Sequence, residues 1–262
     1  MERAHPESVD VEVIRTHGFG LAELGREHDL TTPVPTCGDW SLADLVWHLA
    51  EVQAFWCHII GNRPAGPDTY DRPDRPADAA LADLLADRCL RLTDALADAD
   101  PADHAWSWAD EQTVGFTVRR QSHEALVHHV DGLIAVGAPI PQVEPALAAD
   151  GVDELVTVML SGVPDWADYE RTDGTILLRA IDAAAEWPLA FGRMTGTSPD
   201  TGNTYDLIAL EILPELNDPT TTISAGALDL DLWMWGREGS VAVSGDPAGA
   251  ERLRTTIVEA TA

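Results

Sequence analysis

The chain has 262 residues and a formal net charge of −29, with 16 basic residues, all of them arginine, against 45 acidic ones. This balance argues against a broad basic surface for nucleic acid or anionic membranes. The absence of an apolar run of about 18 residues argues against a transmembrane helix, and the polar, acidic segment Met1–Glu7 has no apolar signal core, so we expect a cytoplasmic protein.

Apolar periodicity predicts four helices in the first half of the chain. They cover approximately residues 9–30, 42–60, 78–97 and 117–137. Three glycines inside the first helix weaken that prediction. Before the second helix, Ser41 is a good N-cap, and Asp44 three residues later completes an approximate capping box. Helices joined by loops predict a bundle, which we place at residues 1–147.

The second half of the chain is predicted to contain strands as well as helices. Residues 138–145 read as a proline-rich linker, and a short helix is predicted at residues 150–160. Strands follow at residues 175–181, 188–194 and 206–212, then a strand-to-helix passage at 222–235, a short segment at 241–244 and a last helix at 247–259. The fold class is therefore α+β, with a smaller α+β domain at residues 148–262.

Three residues on two predicted helices form a candidate metal site. Glu124 and His128 stand four residues apart on the fourth helix and so project from one face. His48 lies at the edge of the apolar stripe of the second helix. A bundle interior can bring such residues to one ion, and three protein ligands leave a fourth position open, as in catalytic zinc sites. The alternatives are a solvated pair on one helix and a core histidine on the other.

The neighbouring side chains are assigned lesser roles. His123 and His129 each point about 100° away from a ligand on the helix and are not expected to bind the ion. Asp131 either orients a ligand histidine or faces solvent. The cysteines Cys37, Cys57 and Cys89 lack metal-finger spacing and are expected to be reduced thiols, and a nucleophilic role for Cys37 is the less favoured interpretation.

Several passages resemble the mycothiol-dependent maleylpyruvate isomerase family, within the DinB-like superfamily. TCGDWSLADLVWHL at residues 36–49 resembles the signature T-C-P-G-W-x-x-x-D-L-x-x-H-L, and HEALVHHVD at residues 123–131 resembles H-E-x-x-x-H-R-x-D. Residues 148–155, 235–237 and 243–247 are similar to passages of the sterol-carrier-like C-terminal domain of that family. The chain departs from the pattern at Gly38-Asp39, where the family prefers Pro-Gly, and at His129, where it prefers Arg.

The resemblance implies a DinB-like four-helix bundle followed by a smaller sterol-carrier-like domain. It also implies a divalent metal ion, usually zinc, held by His48, Glu124 and His128, and mycothiol, a low-molecular-weight thiol of actinobacteria, as cosubstrate. The expected activity is isomerisation of a small electrophile, or transfer of it to the thiol, through a metal-bound thiolate. Arg237 is a candidate for binding a substrate carboxylate through two hydrogen bonds. The alternative is a surface arginine that pairs with an acidic residue.

Two other classes of function remain open from the sequence. One is a binding protein for a small apolar ligand with a degenerate metal site, in which the tryptophan-rich halves of the chain enclose the ligand. The sterol-carrier-like second domain fits this interpretation, as does the loop carrying Trp106 and Trp108, which either covers a pocket mouth or is packed surface. The other, ranked last, is a metal-dependent hydrolase. The partners expected for the enzyme are a small electrophile and a low-molecular-weight thiol, without nucleic acid or membrane, in a monomer or homodimer.

Overall fold

A computed structural model describes residues 9–199 and 201–261, and the chain divides into two compact units between Gln142 and Val143. The predicted division after Leu147 falls inside a helix of the second unit, because Pro145 begins that helix and does not end a linker. Met1–Glu7, on which the expectation about a signal segment rests, lies outside the described residues. Within the described part of the chain, no helix is long and apolar enough to cross a membrane.

The first unit is the predicted four-helix bundle. Its helices are α1 (Val11–Glu27), α2 (Leu42–Asn62), α3 (Leu81–Ala97) and α4 (Val114–Val136). Single 3₁₀ turns lie at Pro67–Thr69 and Asp78–Ala80. Leucines from three helices, including Leu21, Leu45 and Leu85, are completely buried in a common core.

The helix α1 is continuous despite its glycines, because they allow close packing. A Cβ added at Gly18 would lie 2.6 Å from the Cys89 sulfur, and one added at Gly20 would lie 2.4 Å from the His129 ring. The glycines therefore bring α3 and α4 close to α1. This contact outweighs the low helix propensity that weakened the prediction.

The start of α2 is fixed as the sequence predicts. Ser41 is the N-cap, its hydroxyl accepts a hydrogen bond from the Asp44 N–H at 3.3 Å, and its own N–H donates to Asp44 Oδ2 at 2.9 Å. Upstream, the Val34 N–H donates to the Trp40 carbonyl at 2.8 Å and closes a turn around Cys37. The capping box and this turn together fix where α2 begins and hold Cys37 next to that start.

Helix α4 begins at Val114, earlier than predicted, because the Thr113 hydroxyl caps it by accepting from the Phe116 N–H at 3.0 Å. It ends before Gly137, whose φ of 67° is the left-handed value that favours glycine at this position. The helix is buried around most of its circumference, and its buried residues include polar ones such as Arg120, Gln121 and Asp131. Because buried polar groups need partners, the number of them on α4 makes this helix the expected location of a functional site.

The second unit is a five-stranded sheet with helices. In chain order it contains α5 (Pro145–Glu154), a π-helical continuation (Leu155–Leu160), β1 (Ala167–Ala180), β2 (Ala185–Thr197), β3 (Thr204–Ile212), β4 (Thr221–Ala225), α6 (Ala227–Met234), β5 (Ala242–Gly245) and α7 (Pro247–Thr261). The strand order is β3-β2-β1-β4-β5, and only the β1–β4 pair is parallel among the paired strands described.

The α+β fold expected from the sequence is confirmed, with longer strands in its first hairpin. Strand β1 begins at Ala167, eight positions before the predicted Thr175, because its polar first half pairs with β2 outside the apolar core. Alternate residues of the later half, including Ile176, Leu178 and Ala180, turn to a core that they share with the helices.

Candidate metal centre

The structure brings the three predicted ligands together inside the first unit. Nε2 of His48, on α2, lies 3.2 Å from Oε1 of Glu124, on α4. Nε2 of His128 lies 3.2 Å from the same oxygen, one turn further along α4. The two imidazole rings meet nearly edge to face, with centroids 4.8 Å apart. The spacing of Glu124 and His128, together with the antiparallel approach of α2, therefore produces one cluster of two nitrogens and one oxygen.

These separations fit a divalent ion. A tetrahedral zinc site with metal–ligand bonds of about 2.0–2.1 Å has ligand–ligand edges of about 3.3 Å. The two nitrogen–oxygen distances are close to that edge, and all three ligand atoms lie within 4.8 Å of one another. The donor set of two imidazoles and one carboxylate is also one that zinc accepts. The residues present therefore suit the metal that the sequence implies.

The electrostatics of the cluster favour a positive charge among these residues. Burial by itself would lower the pKa of His128, but attraction to Glu124 and a hydrogen bond to Asp131 outweigh it and raise that pKa well above its usual value. Burial would likewise raise the pKa of Glu124, and attraction to His128 reverses the effect and holds that pKa well below its usual value. The same negative potential that stabilises the proton would also stabilise a divalent cation at these residues.

The outer nitrogen of His128 is held by a buried carboxylate. Its Nδ1 lies 3.1 Å from Oδ2 of Asp131, whose side chain is completely buried. The Cys37 thiol donates to the same oxygen at 3.5 Å. A carboxylate at Nδ1 keeps the proton on that nitrogen and leaves Nε2 for a metal ion. Of the two roles weighed from the sequence for Asp131, its burial favours the orienting one.

Comparison with known proteins assigns the family. The family model of the mycothiol maleylpyruvate isomerase N-terminal domain matches residues 15–131, and the model of the C-terminal domain of the same family matches residues 146–252. The chain belongs to the mycothiol maleylpyruvate isomerase family. The enzyme class and the family expected from the sequence are therefore confirmed.

Two solved structures share the fold of this member of the mycothiol maleylpyruvate isomerase family. One is a crystal structure of the mycothiol-dependent maleylpyruvate isomerase, with 12% identity and a TM-score of 0.58. The other is a mutant of that enzyme in which a histidine is replaced by alanine, with 13% identity and a TM-score of 0.59. Each comparison covers 89% of this chain and 91% of the other. At this level of identity the likeness establishes the fold. No curated protein matches the chain.

The two departures from the family signature have local explanations. Gly38 has a φ of 63°, which proline cannot adopt, so Gly38-Asp39 builds its turn differently from the Pro-Gly of the signature. His129 faces α1, where its Nδ1 lies 3.0 Å from Nδ1 of His17. The Arg that the family prefers at position 129 carries a fixed positive charge, and this chain instead has Arg120 on the same helix, whose Nη2 donates to Oε2 of Glu124 at 3.1 Å. Sequence reasoning missed Arg120.

Arg237 lies in the second unit, in the turn after α6. Gly236 has a φ of 82°, so the turn needs a glycine. From α7, Arg254 donates to the backbone carbonyls of Trp233 at 2.9 Å and of Gly236 and Arg237 at 3.2 Å. Nη1 of Arg237 itself donates to the Trp235 carbonyl at 2.5 Å. Hydrogen bonds from Arg254 and Arg237 therefore hold the turn at residues 235–237, and the guanidinium of Arg237 is half-buried there.

The tryptophan loop, which the sequence left open as a pocket cover or a packed surface, is an ordered surface loop of the first unit. The Trp106 ring packs against Phe55, and Trp108 packs against Phe116 while remaining half exposed. The buried Ser107 hydroxyl donates to the carbonyl of Glu111 at 2.6 Å and fixes the loop. Packing within this unit therefore accounts for much of the aromatic surface of the loop.

Proposed function

We propose that the chain is a metal-dependent enzyme that uses mycothiol to isomerise a small electrophile or to transfer it to the thiol. The observation that carries the proposal is the convergence of His48, Glu124 and His128, in which both nitrogen–oxygen distances are close to the edge of a zinc tetrahedron. The family to which the chain belongs supports mycothiol as the thiol and maleylpyruvate as a first substrate to test.

Each residue of the cluster has a separate role. His48 and His128 would supply nitrogen ligands and Glu124 one oxygen ligand, leaving a further position open. Asp131 holds the proton of His128 on Nδ1 and so keeps Nε2 directed at that position. When bound, a divalent ion such as zinc would lower the pKa of a coordinated thiol, so that it is nucleophilic at neutral pH.

Arg237 is proposed to bind a carboxylate of the substrate. A guanidinium can form two parallel hydrogen bonds to a carboxylate, which fixes the orientation of the substrate as well as its position. The turn that carries Arg237 is held by Arg254 at three backbone carbonyls. That rigidity supports a positioning role, because a preformed cation loses less conformational freedom when it binds the substrate.

The intact cluster favours this proposal over the binding-protein alternative. A degenerate site would be expected to have lost a ligand type or to hold the ligands apart. Here all three side chains converge, and a buried carboxylate supports His128. The hydrolase alternative gains no such support, since the family assignment points to a thiol cosubstrate.

The test is thiol-dependent turnover. Zinc-loaded protein is mixed with maleylpyruvate and mycothiol, and the cis-to-trans conversion is followed together with the concentration of free thiol. Isomerisation returns the thiol, whereas transfer consumes it in step with the electrophile. We expect turnover that requires mycothiol and is lost in His48→Ala. Absence of thiol-dependent turnover across a panel of electrophiles, with the metal bound, would contradict the proposal.

A further inference from the structure

The second oxygen of Glu124 has its own partner. Oε1 faces the two imidazoles, whereas Oε2 accepts a hydrogen bond from Nη2 of Arg120 at 3.1 Å. Arg120 stands four residues before Glu124 on α4, so both project from the same face. The guanidinium is 6% exposed and the carboxylate 19% exposed, which makes this a buried ion pair at the wall of the site.

A buried carboxylate with both oxygens available can bind one metal ion through either one oxygen or two. A donor fixed on Oε2 makes the two oxygens inequivalent. Two-oxygen binding would require Oε2 to turn from Arg120 towards the ion, leaving a buried guanidinium with one hydrogen bond fewer. The arrangement therefore favours coordination through Oε1 alone.

We infer that Arg120 is a positioning residue that fixes Glu124 as a one-oxygen ligand and so keeps a coordination position open for the thiol. This inference rests on the proposed metal site. Arg120 then supplies the positive charge beside the proposed metal site. His129 does not supply it, because the His129 ring packs against Gly20 and His17 of α1.

The charge of Arg120 has a second consequence. Glu124 and the nearby Asp131 are both negative, and negative ligands reduce the ability of an ion to lower the pKa of the remaining ligand. A guanidinium on Glu124 offsets part of that negative charge in a buried setting, where screening by solvent is weak. Arg120 therefore acts on both the geometry and the charge of the open position.

The experiment compares metal binding by the full chain and three variants. Metal-free protein is titrated with Co²⁺ and with Zn²⁺ in competition with a chelating dye, and the visible spectrum of the Co²⁺ form is recorded. Arg120→Met removes the charge and the donors, and Arg120→Lys keeps the charge without the planar fork. Arg119→Met removes a neighbouring buried arginine whose side chain points about 100° further round the helix, and serves as the matched control.

We expect Arg120→Met to raise metal affinity by about tenfold or more, because it removes a positive charge beside the ion and frees Glu124 to bind through both oxygens. We also expect it to weaken the intense visible bands of four-coordinate Co²⁺, as Glu124 becomes free to bind through both oxygens. Arg120→Lys should show a smaller change in the same direction, and it decides the question if Arg120→Met does not fold. Arg119→Met should match the wild type in both affinity and spectrum.

The inference is overturned if the folded Arg120 variants keep the wild-type affinity and Co²⁺ spectrum, or if Arg119→Met changes both as strongly as Arg120→Met. A wild-type protein that binds neither ion would instead remove the proposed metal-dependent function, and with it the role of Arg120. The two failures are therefore distinguishable in one set of titrations.

Discussion

The Asp131 carboxylate shows how a single residue supports the proposed centre without touching an ion. It is completely buried, lies 3.1 Å from Nδ1 of His128, and accepts a hydrogen bond from the Cys37 thiol. Burial of a carboxylate is unfavourable unless hydrogen bonds compensate for the lost water. Its position is thus best explained by the orientation that it imposes on the histidine.

Replacing Asp131 tests that role. Asp131→Asn retains an acceptor for the His128 N–H but removes the charge, and Asp131→Ala removes both. We expect metal affinity to fall by about 10- to 100-fold in the alanine variant and by less in the asparagine variant. Dye competition measures both values, with the exposed Asp87→Asn as control. Equal affinity in Asp131→Ala and the wild type would show that the carboxylate does not orient the ligand.

His17 and His129 form a second buried histidine contact in the first unit, and it makes stability depend on pH. Burial, followed by the nearby His129, lowers the pKa of His17 from 6.5 to about 4. Below pH 6.5 the unfolded chain therefore binds a proton that the folded chain excludes. Stability is unaffected above pH 6.5 and declines as the pH falls towards 4, by about 3 kcal/mol in total from this group.

The variant His17→Gln isolates this contribution, because glutamine does not titrate. Urea unfolding between pH 7 and pH 4 should give a steeper loss of unfolding free energy for the wild type than for the variant. The carboxylates and the histidines that do not contact His17 titrate in both proteins, so they cancel in the comparison, and the difference reports the His17–His129 pair. Parallel pH profiles would contradict the assigned cause.

At the scale of elements, the close contact between α1 and α4 sets the positions of the α4 side chains. Gly20 of α1 lies against the His129 ring, and Gly132 of α4 lies against Leu21, where an added Cβ would be 2.8 Å from a methyl carbon. Since α4 carries Glu124 and His128, this contact helps to fix the height and rotation of two ligands relative to the rest of the bundle.

Gly20→Ala should therefore destabilise the protein although alanine is the better helix former. The helix gains up to about 1 kcal/mol from propensity, but displacement of the His129 ring costs about 1–3 kcal/mol. Gly61→Ala is the matched control, since Gly61 is an exposed residue of α2 and, outside its chain neighbours and its own helix backbone, no atom of the described residues lies within 4 Å of an added Cβ. Urea unfolding should place the two variants on opposite sides of the wild type. Equal stabilisation by both would refute the packing argument.

At the scale of the whole molecule, the architecture was predictable from the sequence, because the spacing of the apolar residues indicates which side chains are buried. The apolar stripes gave four helices, and alternation with turn residues gave the strands of the second unit. Boundaries were less accurate where tertiary contacts decide them. Polar residues such as Glu170 and Arg171 extend β1 by pairing with β2, and Pro145 starts a helix inside what reads as a linker.

The proposed ligands were predictable, whereas their supporting residues were not. Glu124 and His128 have helical ligand spacing, and the family signature adds His48. Arg120 also has i,i+4 spacing to Glu124, but many exposed ion pairs have the same spacing, and only its burial sets it apart. The hydrogen bond between Cys37 and Asp131 joins residues distant in the chain, so no local sequence pattern predicts it.

The measurement that tests the central claim most directly is the metal content of the chain, by elemental analysis of protein purified without added metal or chelator. We expect about one equivalent of a divalent ion, most simply zinc, in the wild type, and its loss in Glu124→Ala. A wild-type protein that carries no metal, and takes up none when zinc is supplied, would contradict the account.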